Sequence, residues 1–177
     1  MIVVGIDPGK DGAVACWSNV RTLPGHIVLP TVVCTPTIAA GKGGKVEYDP
    51  DQMRNLLCAS GADLVVLEKQ QAFPKQGVTS TGATMYGFGL WHGIIVGLMM
   101  SHVIVRPQTW QAVCLRDVQG SDTKTRSILA AQRLFPGVDL RVSERGRKPH
   151  HGKADALLMA WWGARHYAAE AGKDGAA

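Results

Sequence analysis

The sequence predicts an α/β fold: a mixed five-stranded sheet, an antiparallel meander followed by parallel strands, flanked by helices on both faces. Three observations carry this. The chain opens on a mostly β-branched run, Ile2, Val3, Val4 and Ile6, closed by the turn residues Pro8, Gly9, Asp11 and Gly12. Two further apolar runs follow after short polar links, and beyond Asp51 helical patterns alternate with apolar runs.

Taken in order, "GAVACWS" and "HIVLPTVVC" read as the second and third strands. "TIAAGKGGKVEYDP" has no apolar period and reads as a loop. Asp51 to Ala59 carries Met53, Leu56 and Leu57 at helical spacing behind an acidic start that suits the helix dipole. "ADLVVLEKQ" is an almost unbroken apolar run, the pattern of a parallel strand buried on both faces. A Gly/Thr/Lys loop then leads into a nearly all-apolar helix, Tyr86 to Met100, whose glycines permit close packing against a neighbour. "HVIVRP" is a short strand, and helices are expected over 108–114, 123–134 and 152–169. Residues 1–170 are expected to form one domain without internal repeats, with "AGKDGAA" expected as a disordered tail.

Composition narrows the partners. The 177 residues are 46% hydrophobic and 19% charged, the composition of an ordinary globular protein rather than a disordered chain. A net charge of +5 suits a polyanion. The four cysteines, Cys16, Cys34, Cys58 and Cys114, form no C-x-x-C motif and read as reduced, buried thiols. The stretch from Gly89 to Met100 is interrupted by His92 and too short for a bilayer, so no membrane role is expected. No charged leader precedes the first strand, which points to the cytoplasm of a bacterium or of a phage-infected cell.

Two apolar strands each end in an acid, Asp7 and Glu68. Asp7 is either a turn residue accepting backbone N–H bonds or a site residue on a rigid platform. If the strands are neighbours, both carboxylates leave the same sheet edge. In "HHGKADALLMAWW", Asp155 begins the stripe Leu158, Met159, Trp162, so a charge starts the face that must pack on the sheet. Carboxylates meeting without buried bases raise one another's pKa, and a divalent cation resolves the conflict. Oxygen ligands of this kind suit Mg²⁺, with Mn²⁺ able to substitute, and two such ions can activate water and stabilise a departing 3′ oxygen.

His151 stands four residues before Asp155, on one helix face with it, as a further ligand or a proton carrier; His150 points elsewhere. Lys124 at a helix start can neutralise a phosphate. Arg141, Arg145, Arg147, Lys148 and Lys153 crowd the residues before Asp155 against a single Glu144. Lys69, Phe73, Lys75 and Tyr86 surround Glu68 with the cations and aromatics that bind unpaired bases.

These residues resemble the RuvC-type Holliday junction resolvases of the ribonuclease H-like superfamily. "GIDPG" with Asp7, "VVLEKQ" with Glu68 and "KADALLMA" with Asp155 stand in that family's order across nearly the whole chain. "FPKQG", "YGFGLWHG" and "HHGKADALLMA" are similar to the plant chloroplast branch and its bacterial and phage relatives. The resemblance implies a homodimer that nicks two opposed strands of a four-way DNA junction symmetrically with Mg²⁺ or Mn²⁺. It implies Asp7, Glu68 and Asp155 as metal ligands, Lys124 as the lysine after the Gly/Ser loop, and Phe73 as a wedge at the junction centre. The helix from Tyr86 to Met100 is placed near the dimer interface on the same ground. Where many members carry an Asp or His three positions before the last acid, this chain has Gly152, and His151 is the nearest substitute. Three alternatives stay open: a phosphate-binding lobe of the actin-like type, a junction-binding module without cleavage, and a related nuclease acting on flaps or RNA–DNA hybrid.

Overall fold

The computed structural model describes residues 1–18, 30–40, 46–71, 77–143 and 145–171. Strand β1 (Ile2–Asp7) lies at the centre of a five-stranded sheet, antiparallel to β2 (Ala13–Ser18), which pairs antiparallel with β3 (Thr31–Cys34). On its other side β1 runs parallel to β6 (Leu64–Glu68), and β6 parallel to β7 (His102–Val105). The spatial order is β3-β2-β1-β6-β7, a meander followed by parallel strands, as the sequence predicts.

Alternation along the strands divides their side chains between two cores. Val4, Ile6, Val14, Val65 and Leu67 pack with Met53 and Leu57 of α1 (Pro50–Ser60) and with Trp91 and Ile95 of α2 (Val78–Gly97). Val3, Ala13, Ala15, Leu64 and Val66 face α5 (His151–Ala171), which is covered in turn by Trp110 and Cys114 of α3 (Pro107–Cys114) and Ala130 and Ala131 of α4 (Thr123–Leu134). Helix α5 is therefore a central element. Its apolar surface is wider than the predicted stripe, because Ala154, Ala156, Leu157, Leu158, Met159 and Ala160 are all buried.

Small residues let α5 sit directly on β1. A Cβ added to Gly5 would overlap the Ala156 carbonyl oxygen and lie 2.6 Å from the Ala160 nitrogen; one added to Gly163 would meet Val66 Cγ2 at 2.5 Å. This close seat aligns the start of α5 with the end of β1.

Several expectations are corrected. The segment read as a loop contains β4 (Thr37–Ala39) paired antiparallel with β5 (Val46–Tyr48), and residues 41–45 lie outside the described residues. Burial of Tyr48, whose hydroxyl donates to the Pro8 carbonyl at 3.1 Å, ties this ribbon to the turn after β1. The third strand covers only Thr31–Cys34 of the run expected, whose residues 26–29 lie outside the described residues. Helix α2 begins at Val78 rather than Tyr86, since Thr79 to Met85 extend it, and ends after Gly97, where Leu98 caps it and Met99 adopts φ 52°. Of the four free cysteines only Cys114 is buried, while Cys58 is exposed. The expected tail falls on residues 172–177, outside the described residues, and on Ala171, the last of α5.

Candidate active site

Strands β1 and β6 are neighbours with Ile6 opposite Leu67, so Asp7 and Glu68 follow as adjacent terminal residues of parallel strands. Parity along each strand sends both toward the α5 side, with Val3 and Val66. The turn after β1 holds the first acid: the Gly9 N–H donates to Asp7 Oδ1 at 3.3 Å, and the Gly12 N–H to the Gly9 carbonyl at 2.9 Å. Asp7 thus makes the turn contact and also stands at the site; its two readings coexist. Glu68 takes the Trp110 indole N–H on Oε1 at 3.0 Å and the Gln70 amide on Oε2 at 3.1 Å.

Asp155 arrives from the first turns of α5. A Cβ at Gly152, one turn earlier, would lie 2.7 Å from the Asp11 carbonyl oxygen and 3.0 Å from Asp7 Oδ2, so α5 can approach Asp7 this closely only with glycine there. The position that carries an acid or histidine in many resembling proteins has no room for one here.

The three carboxyls share an electrostatic field. Burial raises Glu68 to about 8, aided by the charges of Asp7 and Asp155 and opposed by its two hydrogen bonds. Burial raises Asp155 to about 7; nearby Ser127 and Lys124 oppose the shift and Asp7 adds to it. Burial likewise raises Asp7 to about 6, against the Gly9 N–H and Lys124. Ser127 Oγ stands by the Asp155 carboxyl without bonding geometry, so both Ser127 Oγ and Asp155 Oδ1 are buried and unpartnered. A buried carboxylate oxygen without a donor, beside two further acids, fits a hard cation that keeps several waters and takes few protein oxygens. Among the described residues no three His, Cys, Asp or Glu side chains already stand together closely enough to ligate one ion.

Lys124, exposed on the first turn of α4, is near enough for its charge to act on Asp7, Asp155 and both histidines. That turn is fixed by Asp122, which accepts from the Thr125 N–H at 2.8 Å. His151 begins α5 and stacks on His150 with ring centroids 5.3 Å apart, so His150 does not point elsewhere as expected. Burial holds both imidazoles below their usual value; Lys124 adds to this for each, and Asp11 opposes it.

Arg145, Arg147 and Lys148 are exposed on a loop closed by the Arg141–Pro149 bridge and by the His150 N–H to the Leu140 carbonyl, directly before α5. Lys153 departs from the expectation of phosphate contact: it is 8% exposed, and its ammonium donates to the Arg141 carbonyl, propping that loop. Arg141 pairs with Asp139 at 2.8 Å. Lys69 is half-buried beside Glu68 with its N–H on the Val105 carbonyl. Phe73, Lys75 and Glu144 lie outside the described residues. Trp110, Gln70, Ser127 and Asp11 were not singled out from sequence. Trp110 is 42 residues from Glu68, and only the general need of a buried indole N–H for an acceptor hinted at it.

No family model and no curated protein matches the chain. Solved structures do. RuvC of Thermus thermophilus is 18% identical with a TM-score of 0.52, covering 97% of both chains. T. thermophilus RuvC in complex with Holliday junction substrate is 16% identical with a TM-score of 0.59, covering 97% of this chain and 96% of that one. The yeast mitochondrial Holliday junction resolvase is 13% identical with a TM-score of 0.50, covering 97% and 83%. With its mixed sheet, its central helix and its acids at the strand ends, the chain has the fold of the RuvC-type Holliday junction resolvases.

Proposed function

We propose that this chain is a divalent-metal-dependent endodeoxyribonuclease that resolves four-way DNA junctions by paired symmetric nicks. The observation that carries this is that Asp7 and Glu68, at the ends of β1 and β6, and Asp155 of α5 act on one another in one electrostatic field, on a fold shared with junction resolvases. Asp7, Glu68 and Asp155 would hold Mg²⁺ or Mn²⁺, as two ions, which when bound would supply an activated water and charge neutralisation at the departing 3′ oxygen. Lys124 stands where it can offset a phosphate charge. His151, held neutral near pH 7 by its surroundings, can take and return a proton at its ring nitrogen. The exposed Arg145, Arg147 and Lys148 bind backbone phosphates beside the acids, while Lys69 and the Phe73–Lys75 segment serve the junction on the Glu68 side.

The outward side of α2 supports a homodimer. Tyr86 is 61% exposed and Val96 52%, and Gly82, Gly89 and Gly93 face open space, so a second copy can approach closely. No helix among the described residues is long and apolar enough to cross a membrane.

The test is cleavage of a labelled four-way junction against matched duplex, flap and RNA–DNA hybrid, with Mg²⁺, Mn²⁺ or EDTA. Paired nicks near the crossover, abolished by EDTA and reduced about 10²-fold or more by Asp7→Asn with junction binding intact, are expected. Binding without nicks leaves a junction-binding module; preference for the hybrid makes the chain a ribonuclease.

A further inference from the structure

We propose that Trp110 is a positioning residue for this site: its buried indole N–H fixes the Glu68 carboxylate at the end of β6. The inference rests on the nuclease function proposed above and names a residue that acts through one of its acids. Glu68 differs from its two partners in how it is held. Asp7 has one long bond from a backbone N–H, and Asp155 Oδ1 has none, whereas each Glu68 oxygen receives a side-chain donor. Gln70 is half-buried and water can replace its amide. Trp110 is 0% exposed, packed among the side chains between the sheet and α5, on a helix started by Pro107. Its ring cannot turn away, so its N–H transmits the stiffness of the core to the carboxylate.

Packing alone does not account for this bond. Trp91 is equally buried in the other core, and its indole nitrogen has no partner. The fold thus tolerates a buried indole without an acceptor, and a phenyl ring could fill most of the Trp110 slot if filling it were the only need. One N–H on Oε1 still leaves that oxygen a lone pair for a cation, so the bond orients Glu68 without consuming it.

The experiment compares wild type, Trp110→Phe, Glu68→Gln and the double variant, reading Mn²⁺ binding by electron paramagnetic resonance and junction cleavage as kcat and KM. Trp110→Phe is expected to weaken Mn²⁺ binding and lower kcat, each about tenfold, with KM and junction binding in EDTA unchanged. In the Glu68→Gln background the same change is expected to move Mn²⁺ affinity by less than about twofold, because the residue acts through Glu68. Wild-type Mn²⁺ affinity and kcat in Trp110→Phe overturn the inference, as does an equal loss in both backgrounds. Should Trp110→Phe not fold, benzothienylalanine at position 110 removes the donor while keeping the ring shape and gives the same comparison. If the wild type cuts none of the substrates, the nuclease function fails, and Mn²⁺ binding still decides the role of Trp110.

Discussion

The two faces of the sheet are built from the same strands and end differently. Toward α1 and α2, Val4, Ile6, Val65 and Leu67 run into an apolar core, and one concave feature there is an apolar groove of about 250 Å³ lined by residues such as Val14, Cys16, Val33 and Leu56. Toward α5, the alternate residues Val3, Gly5, Leu64 and Val66 lead to Asp7 and Glu68. The candidate site lies on one face because its last side chains are acids and because a helix that supplies a third acid is seated there on glycine and alanine. The lesson is that a shift of one residue in strand parity would exchange the faces and bury the acids in the wrong core.

The largest effect expected from disturbing this arrangement is Gly5→Ala. The new methyl would overlap the α5 backbone at Ala156, and neither strand nor helix can give way, so a loss above about 4 kcal/mol is expected in urea unfolding. Gly163→Ala meets only side chains, those of Val66 and Val3, and about 1–3 kcal/mol is expected there. Equal costs at the two positions would mean that α5 is not seated on β1 as described.

A smaller effect is electrostatic and separates the faces by pH. Glu68 and Asp155 titrate near 8 and 7, so at neutral pH the fold still holds protons that the unfolded chain has released. Stability contributed in this way is present at low pH and is lost as pH rises through those values. His150 and His151, held below their ordinary 6.5, act in the opposite sense at lower pH, which leaves pH 6.5 to 8 as the window of the acids. Across that window the metal-free protein is expected to lose about 1–2 kcal/mol in chemical denaturation. Glu68→Gln should flatten the slope, and millimolar Mn²⁺ should restore stability chiefly at the alkaline end. A slope unchanged by Glu68→Gln would remove the acids as its source.

The smallest effect is expected on the opposite face. Trp91→Phe removes an indole N–H that has no acceptor, and the relief offsets the lost ring area, so stability should change by about 1 kcal/mol or less. Cleavage should stay at the wild-type rate, in contrast to Trp110→Phe. A large loss of cleavage in Trp91→Phe would end the distinction between the faces.

Much of the α5 face is legible in the sequence. The β-branched run that ends in Asp7, the apolar run that ends in Glu68, and an acid on a core-facing helix pattern are local signals of strand, helix and edge. The β4–β5 ribbon was not legible: its glycines and lysines mask two three-residue strands whose order depends on Tyr48 reaching Pro8. Lys153 misled for a related reason, since a lysine in a basic run reads as exposed until the Arg141 carbonyl supplies its partner.

By itself the sequence determined the order of the five strands of the main sheet and of the helices, the basic loop before α5 and the three acids of the candidate site, because each depends on residues close together in the chain. The tertiary structure decided which strands are neighbours, that no side chain fits at Gly152, that Lys153 is a prop, and that Trp110 holds Glu68. Those depend on contacts between residues far apart in sequence, where backbone approach and burial rather than local pattern set the outcome.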